Sequence, residues 1–149
     1  MDKGNIFSLI AGALGGLMVQ AFGGWSTGMT TLVVFMTIDY ITGLLVAAVF
    51  NKSKKAENGG LNSYEGWKGL IRKGVSLLVI VVAYRLDLLM GSSYIRDTAI
   101  IGFIINETIS IVENAGLMGL PLPAVLSKTI DELSRKIEVF AKEGTKDEQ

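Results

Sequence analysis

Residues 29–50 read MTTLVVFMTIDYITGLLVAAVF, 22 residues with a single formal charge at Asp39. As a helix rising 1.5 Å per residue they extend about 33 Å, enough to cross ~30 Å of hydrocarbon. On the N-terminal side the uncharged run continues: Gly4 to Ile38 is 35 consecutive residues without a charge. That is too long for one helix, and Gly23-Gly24-Trp25-Ser26-Thr27-Gly28 divides it, leaving Ile6–Phe22 as a first segment. On the C-terminal side a basic loop, 51–73, precedes a third segment, 74–90, whose centre is Val75-Ser-Leu-Leu-Val-Ile-Val-Val-Ala83. Arg85 and Asp87 interrupt its far end. A fourth, 98–118, is apolar enough to span yet carries Glu107 and Glu113, which makes it the weakest of the four. The fold class expected is all-α, with about four transmembrane helices in two antiparallel hairpins, because short outer turns make consecutive helices neighbours.

Composition agrees. The chain has 149 residues, enough for one domain, and half of them are hydrophobic. Its mean hydropathy is +0.46. Fourteen basic residues balance fourteen acidic ones, but residues 51–73 hold eight charges, residues 124–149 hold eleven, and the other 100 residues hold nine. A soluble domain spreads charge over its surface; this separation is that of a membrane protein. Without cysteine there are no thiolate metal sites or thiol nucleophiles, and without histidine the usual triad base and most zinc sites are missing. No Gly-rich loop ends in Gly-Lys-Ser/Thr, and the only basic cluster is a short loop, so neither that route to phosphate nor nucleic acid is expected as a partner. The inventory argues against an enzyme, a metal or a cofactor.

A cleaved signal peptide is the alternative for the first segment, since Val19-Gln20-Ala21 has the small-x-small form of a cleavage site. Met1-Asp2-Lys3 lacks net side-chain charge and the stretch holds three glycines, so the segment is read as a span. Lys52, Lys54, Lys55, Lys68, Arg72 and Lys73 all lie between the second and third segments, whereas the outer turns carry only Arg96. The positive-inside rule puts residues 51–73 in the cytoplasm, and four spans then put both termini there.

Within the apolar segments Asp39, Arg85 and Glu107 fall near one depth, about mid-span. A charge there costs roughly 2.5–3.5 kcal/mol on insertion scales, so these side chains are expected to face protein or water, with Arg85 pairing Asp39, Glu107 or both. Such a knot is either structural or part of a pore lining. Asp87, nearer the outer surface, is expected to snorkel. On the fourth segment Gly102, Phe103, Asn106, Glu107, Ser110, Glu113 and Asn114 share an arc of about 140° at helical spacing, opposite an Ile-rich face. On the first, Gly4, Ser8, Gly12 and Gly16 recur every fourth residue, a spacing that lets helices approach closely in lipid, and Gly43 with Ala47 is a shorter version in the second. After Gly119-Leu-Pro-Leu-Pro123, residues 124–149 read as an amphipathic cytoplasmic helix, with Leu126, Ile130, Leu133, Ile137 and Phe140 on one side, and a disordered end from 143.

Several strings resemble the phage holin family that includes toxin-secretion holins: Asp39-Tyr-Ile-Thr42-Gly43; Leu61-Asn62-Ser63 with Gly66, Gly69-Leu70 and Arg72-Lys73; Leu86-Asp87; and, most specifically, Asn106-Glu107-Thr-Ile-Ser110-Ile-Val-Glu113-Asn114. The resemblance runs from about residue 39 to 133. It implies a small protein of the bacterial cytoplasmic membrane that assembles with itself and permeabilises the bilayer so that an endolysin or a toxin crosses. By position it marks Asp39, Thr42, Gly43, Ser63, Lys73, Asp87, Glu107, Ser110, Glu113 and Asn114 as motif residues, none catalytic. A narrow channel or small transporter and a non-conducting antiholin-like regulator are the alternatives.

Overall fold

The computed structural model describes residues 2–53, 60, 62–121, 123, 124, 128, 131, 132 and 135. Among them are four helices and no strand: α1 (Lys3–Ala21), α2 (Thr27–Ala48), α3 (Ser63–Met90) and α4 (Ile95–Leu117). Residues 124, 128, 131, 132 and 135 are helical, and the rest of the expected amphipathic helix and of the tail lies outside the described residues.

Local chemistry sets the ends. Ser26 caps α2 by accepting from the Met29 amide at 3.2 Å. Asn62 caps α3 by accepting from Tyr64 N at 3.0 Å, which starts this helix at Ser63 rather than at Gly74. Gly91 ends it in the left-handed region, φ 64°, where glycine meets no Cβ penalty. Tyr94, before α4, makes no side-chain cap. The cap arrives instead from α3: the Asp87 carboxylate accepts from Ile95 N at 3.0 Å, Arg96 N at 2.9 Å and Ser92 Oγ at 2.6 Å. Asp87 is buried, 4 % exposed, so it turns in to the first amides of α4 instead of snorkelling out to water.

Helices α2, α3 and α4 pack together. Met29, Leu32 and Met36 form a stripe on α2 that meets Ile80 of α3 and Ile100 of α4, and Phe22, Leu77, Phe103 and Ile104 close around them. Gly28 faces Ile100 and Gly43 faces Asn114, so α2 and α4 run parallel. Asp87 meets Ile95 while Lys73 meets Glu107, so α3 runs antiparallel to α4. The most extensive packing is therefore between α2 and α4, which are not consecutive.

Two expectations need correction. The α1–α2 segment pair is not a packed hairpin: the described residues of α1 are exposed through Gln20. In lipid nothing drives two apolar helices together unless they pack closely, and a short turn alone does not supply that. The weakest span is α3 and not α4. Helices α1, α2 and α4 are long and apolar enough to cross a membrane, whereas every 18-residue stretch of α3 carries at least three charges.

Large apolar side chains cover the outside: Val34 and Ile41 on α2, Val75, Leu78 and Val82 on α3, and Ile101 on α4 are all exposed. A continuous surface of this kind requires a lipid or protein neighbour. Trp25 and Tyr94 sit exposed in the turns before α2 and α4, and Tyr64 and Trp67 at the opposite end of the bundle, an arrangement that matches aromatic belts at two interfaces.

The turn after α1 is tied to the bundle at one spot. Arg96 Nη1 donates to the carbonyls of Phe22 (3.1 Å) and Gly23 (2.7 Å), and Gly23, at φ 74°, lies where a Cβ would come within 2.4 Å of the Tyr84 ring. Gly23→Ala should lower the melting temperature in detergent, since the backbone conformation alone costs about 1–2 kcal/mol for a residue with a Cβ and the ring must also move. An unchanged melting temperature would mean that this turn carries no weight.

Candidate functional site

Three helices converge on one ammonium group. Lys73 of α3 donates through Nζ to Asp39 Oδ2 of α2 at 2.8 Å and to Glu107 Oε2 of α4. Asn114, two turns beyond Glu107 on the same face, donates through Nδ2 to Asp39 Oδ1 (3.0 Å) and Thr42 Oγ1 (3.0 Å), and Thr42 donates to the Asp39 carbonyl (3.1 Å). The three charged side chains are 14 % (Lys73), 10 % (Asp39) and 8 % (Glu107) exposed. Among the described residues no buried side-chain nitrogen or oxygen lacks a hydrogen-bond partner, as a bilayer interior demands.

The depths follow from helix rise. Asp39 and Glu107 each lie twelve residues, about 18 Å, from the first residues of α2 and α4, and Lys73 lies fourteen residues, about 21 Å, from Asp87, which meets the first turn of α4. The length of the lysine side chain covers that small difference and brings the ammonium to both carboxylates. Asp39 and Glu107 thus share a depth as expected, but their partner is Lys73. Arg85 is exposed, with its guanidinium 6.0 Å from the centre of the Tyr84 ring, because it points away from the face of α3 that meets α2 and α4. The signal for Lys73 was its place at the boundary between the basic loop and the apolar run, a place where a lysine reads as part of the loop.

The motif residues divide between the two ends. Asp39, Thr42, Lys73, Glu107 and Asn114 form the knot, and Gly43 makes room beside it, where a Cβ would lie 3.8 Å from Asn114 Nδ2. Ser110 and Glu113 line a cavity of about 120 Å³ on the side of the knot nearer the start of α3, with Tyr40, Glu65 and Gly69 also in its walls. Ser63 is exposed at the start of α3, and Asp87 caps α4 at the far end. Asn106 and Glu113 of the polar arc are exposed, while Phe103 packs on the apolar core. Gly12 and Gly16 face open space, with no neighbour within 4 Å of an added Cβ.

An apolar exterior, helices of spanning length and ionised groups paired with one another in the interior define an integral membrane protein. Residues 16–135 match the bacteriophage holin family, and the chain belongs to it. It is 36 % identical over 126 residues to an uncharacterized 14.9 kDa protein from the nagH 3′ region of Clostridium perfringens, covering 83 % of this chain and 89 % of that one. It is 37 % identical over 125 residues to an uncharacterized protein of Clostridium perfringens strain 13, covering 83 % and 87 %. A protein of Bacillus phage phi105 that bears the name "Probable holin" is 34 % identical over 97 residues, covering 64 % of this chain and 66 % of its own. No solved structure matches. Family membership supports a holin-type role, and the holin family is not one of enzymes.

Proposed function

We propose that this protein is a holin of the bacterial cytoplasmic membrane that crosses the bilayer four times, associates with copies of itself, and permeabilises the membrane so that an endolysin or an exported toxin passes. The Asp39–Lys73–Glu107 knot carries the proposal: it holds the closed state together within one chain while storing charged groups inside the bilayer. Helix α3 crosses despite its charges because Lys73 is neutralised by its neighbours and Asp87 is spent on α4. Positive charge in the 51–73 loop sets both termini in the cytoplasm.

Self-association uses α1, which offers lipid its whole circumference and, at Gly12 and Gly16, a face that another helix can approach closely. Above a critical density water crosses the whole membrane, along a path that Glu107, Ser110, Glu113 and Asn114 line. Hydration then replaces the internal partners, so opening is not prohibitively costly.

Expression in a bacterium should depolarise the membrane abruptly after a lag, and co-expression with a wall hydrolase should lyse the culture. Glu113→Ala, which alters an exposed cavity-wall group, should shift the onset without preventing accumulation. A smooth, dose-proportional leak would contradict programmed assembly. The cavity ending on an ion triad also suits a narrow channel, in which case small ions escape but a cytoplasmic fluorescent protein is retained.

A further inference from the structure

The two halves of the α2–α3–α4 packing differ in kind. On the side of the knot nearer the start of α3, the helices part around the cavity of about 120 Å³, in whose walls the polar Glu65, Ser110, Glu113 and Asn114 stand beside Leu44, Val46 and Leu117. Glycine makes part of that space: at Gly69 an added Cβ meets nothing within 4 Å. On the other side the same helices close on Met29, Leu32, Met36, Ile80 and Ile100, each at most 5 % exposed. Water occupies a cavity that gives it roughly 10–15 Å³ and two to four polar partners. The polar cavity meets both conditions several times over, whereas the side chains of the apolar cluster supply no strong hydrogen-bonding partner.

We infer that a single protomer already contains the inner half of a water path, a vestibule filled from the cytoplasm down to Lys73, and that the apolar cluster above it is the closed gate. This rests on the topology proposed above. Two consequences follow for that function. The charged knot exchanges with cytoplasmic water alone while the protein is closed. Opening acts on the outer half, by parting Leu32 and Met36 from Ile80 and Ile100, because the inner half needs no parting.

The chain has no cysteine, so single cysteines can be introduced into the full-length protein without background. A membrane-impermeant maleimide is applied to inside-out and right-side-out vesicles prepared before the onset of permeabilisation. Gly69→Cys and Ser110→Cys should label in inside-out vesicles only, as should Lys52→Cys on the exposed loop, while Leu32→Cys and Ile100→Cys stay unlabelled in both. After onset, the last two should become reactive. Labelling of Lys52→Cys without labelling of either vestibule cysteine overturns the wet vestibule and leaves the topology standing. Labelling of Leu32→Cys or Ile100→Cys before onset, or silence at both in a leaking membrane, overturns the gate. Labelling of Lys52→Cys from the outer side instead overturns the topology itself, and the two failures are thereby told apart.

Discussion

Lys73→Met should destabilise the protein by about 3–5 kcal/mol, the range found when one partner of a buried ion pair is removed. Methionine keeps most of the stem but removes the one ammonium that, among the described residues, touches Asp39 and Glu107. Two carboxylates then face each other in a site where each side chain is about a tenth exposed or less. Either both remain charged without a counter-ion, or they take up protons and lose the hydrogen bonds that orient them. Thermal unfolding in detergent measures the loss, and Arg85→Gln is the contrasting change that should leave the melting temperature near the parent's, because Arg85 is exposed. Adding Asp39→Asn and Glu107→Gln to Lys73→Met should recover most of the stability, since an unpaired buried charge costs more than an uncharged knot. In cells the single variant should accumulate poorly or permeabilise early, and the triple variant should accumulate. Melting of Lys73→Met at the parent's temperature would mean that the three groups are not coupled.

Asp87→Ala should produce the next largest effect, and a local one. The carboxylate satisfies two amides at the start of α4 and the Ser92 hydroxyl, and Tyr94 offers no substitute. Losing it leaves orphan N–H groups and removes a negative charge from the positive end of the helix. Hydrogen exchange at Ile95 and Arg96 should quicken by about an order of magnitude. Because Arg96 also holds the carbonyls of Phe22 and Gly23, fraying there should loosen the turn that follows α1. The centre of α2 should be unaffected. Slow exchange at Ile95 in the variant would show that water or a neighbouring group caps α4 as well as Asp87 does.

Both results concern side chains whose partners lie far along the chain, and that is where reading the sequence reached its limit. Helices α1, α2 and α4 were legible because crossing hydrocarbon demands an uninterrupted apolar run of fixed length, whereas α3 looked apolar only from its centre, 75–83, and its charges were underweighted. The depth shared by Asp39 and Glu107 was legible for the same reason, as helix rise converts position into height. The choice of Lys73 over Arg85 was not. Both are basic residues on α3, and which one reaches the carboxylates depends on the rotation of that helix about its axis against α2 and α4. The role of Asp87 was equally hidden: a carboxylate near a helix end reads as a surface group unless the next helix begins against it.

By itself, then, the amino-acid sequence determined that this is a helical membrane protein with at least three segments apolar enough to insert, and that Asp39 and Glu107 must find partners inside. Hydropathy and periodicity are properties of single segments, so they suffice for that much. Tertiary structure decided which helices touch: that α2 lies along α4, that α1 is exposed through Gln20 among the described residues, and that the half of the bundle nearer the start of α3 is hollow where the other half is filled. Those outcomes rest on the shapes that side chains present to one another, such as the Met29, Leu32 and Met36 stripe that closes with Ile80 and Ile100. In lipid, where apolar surface gains little by leaving its surroundings, fit of that kind is what selects one packing among several.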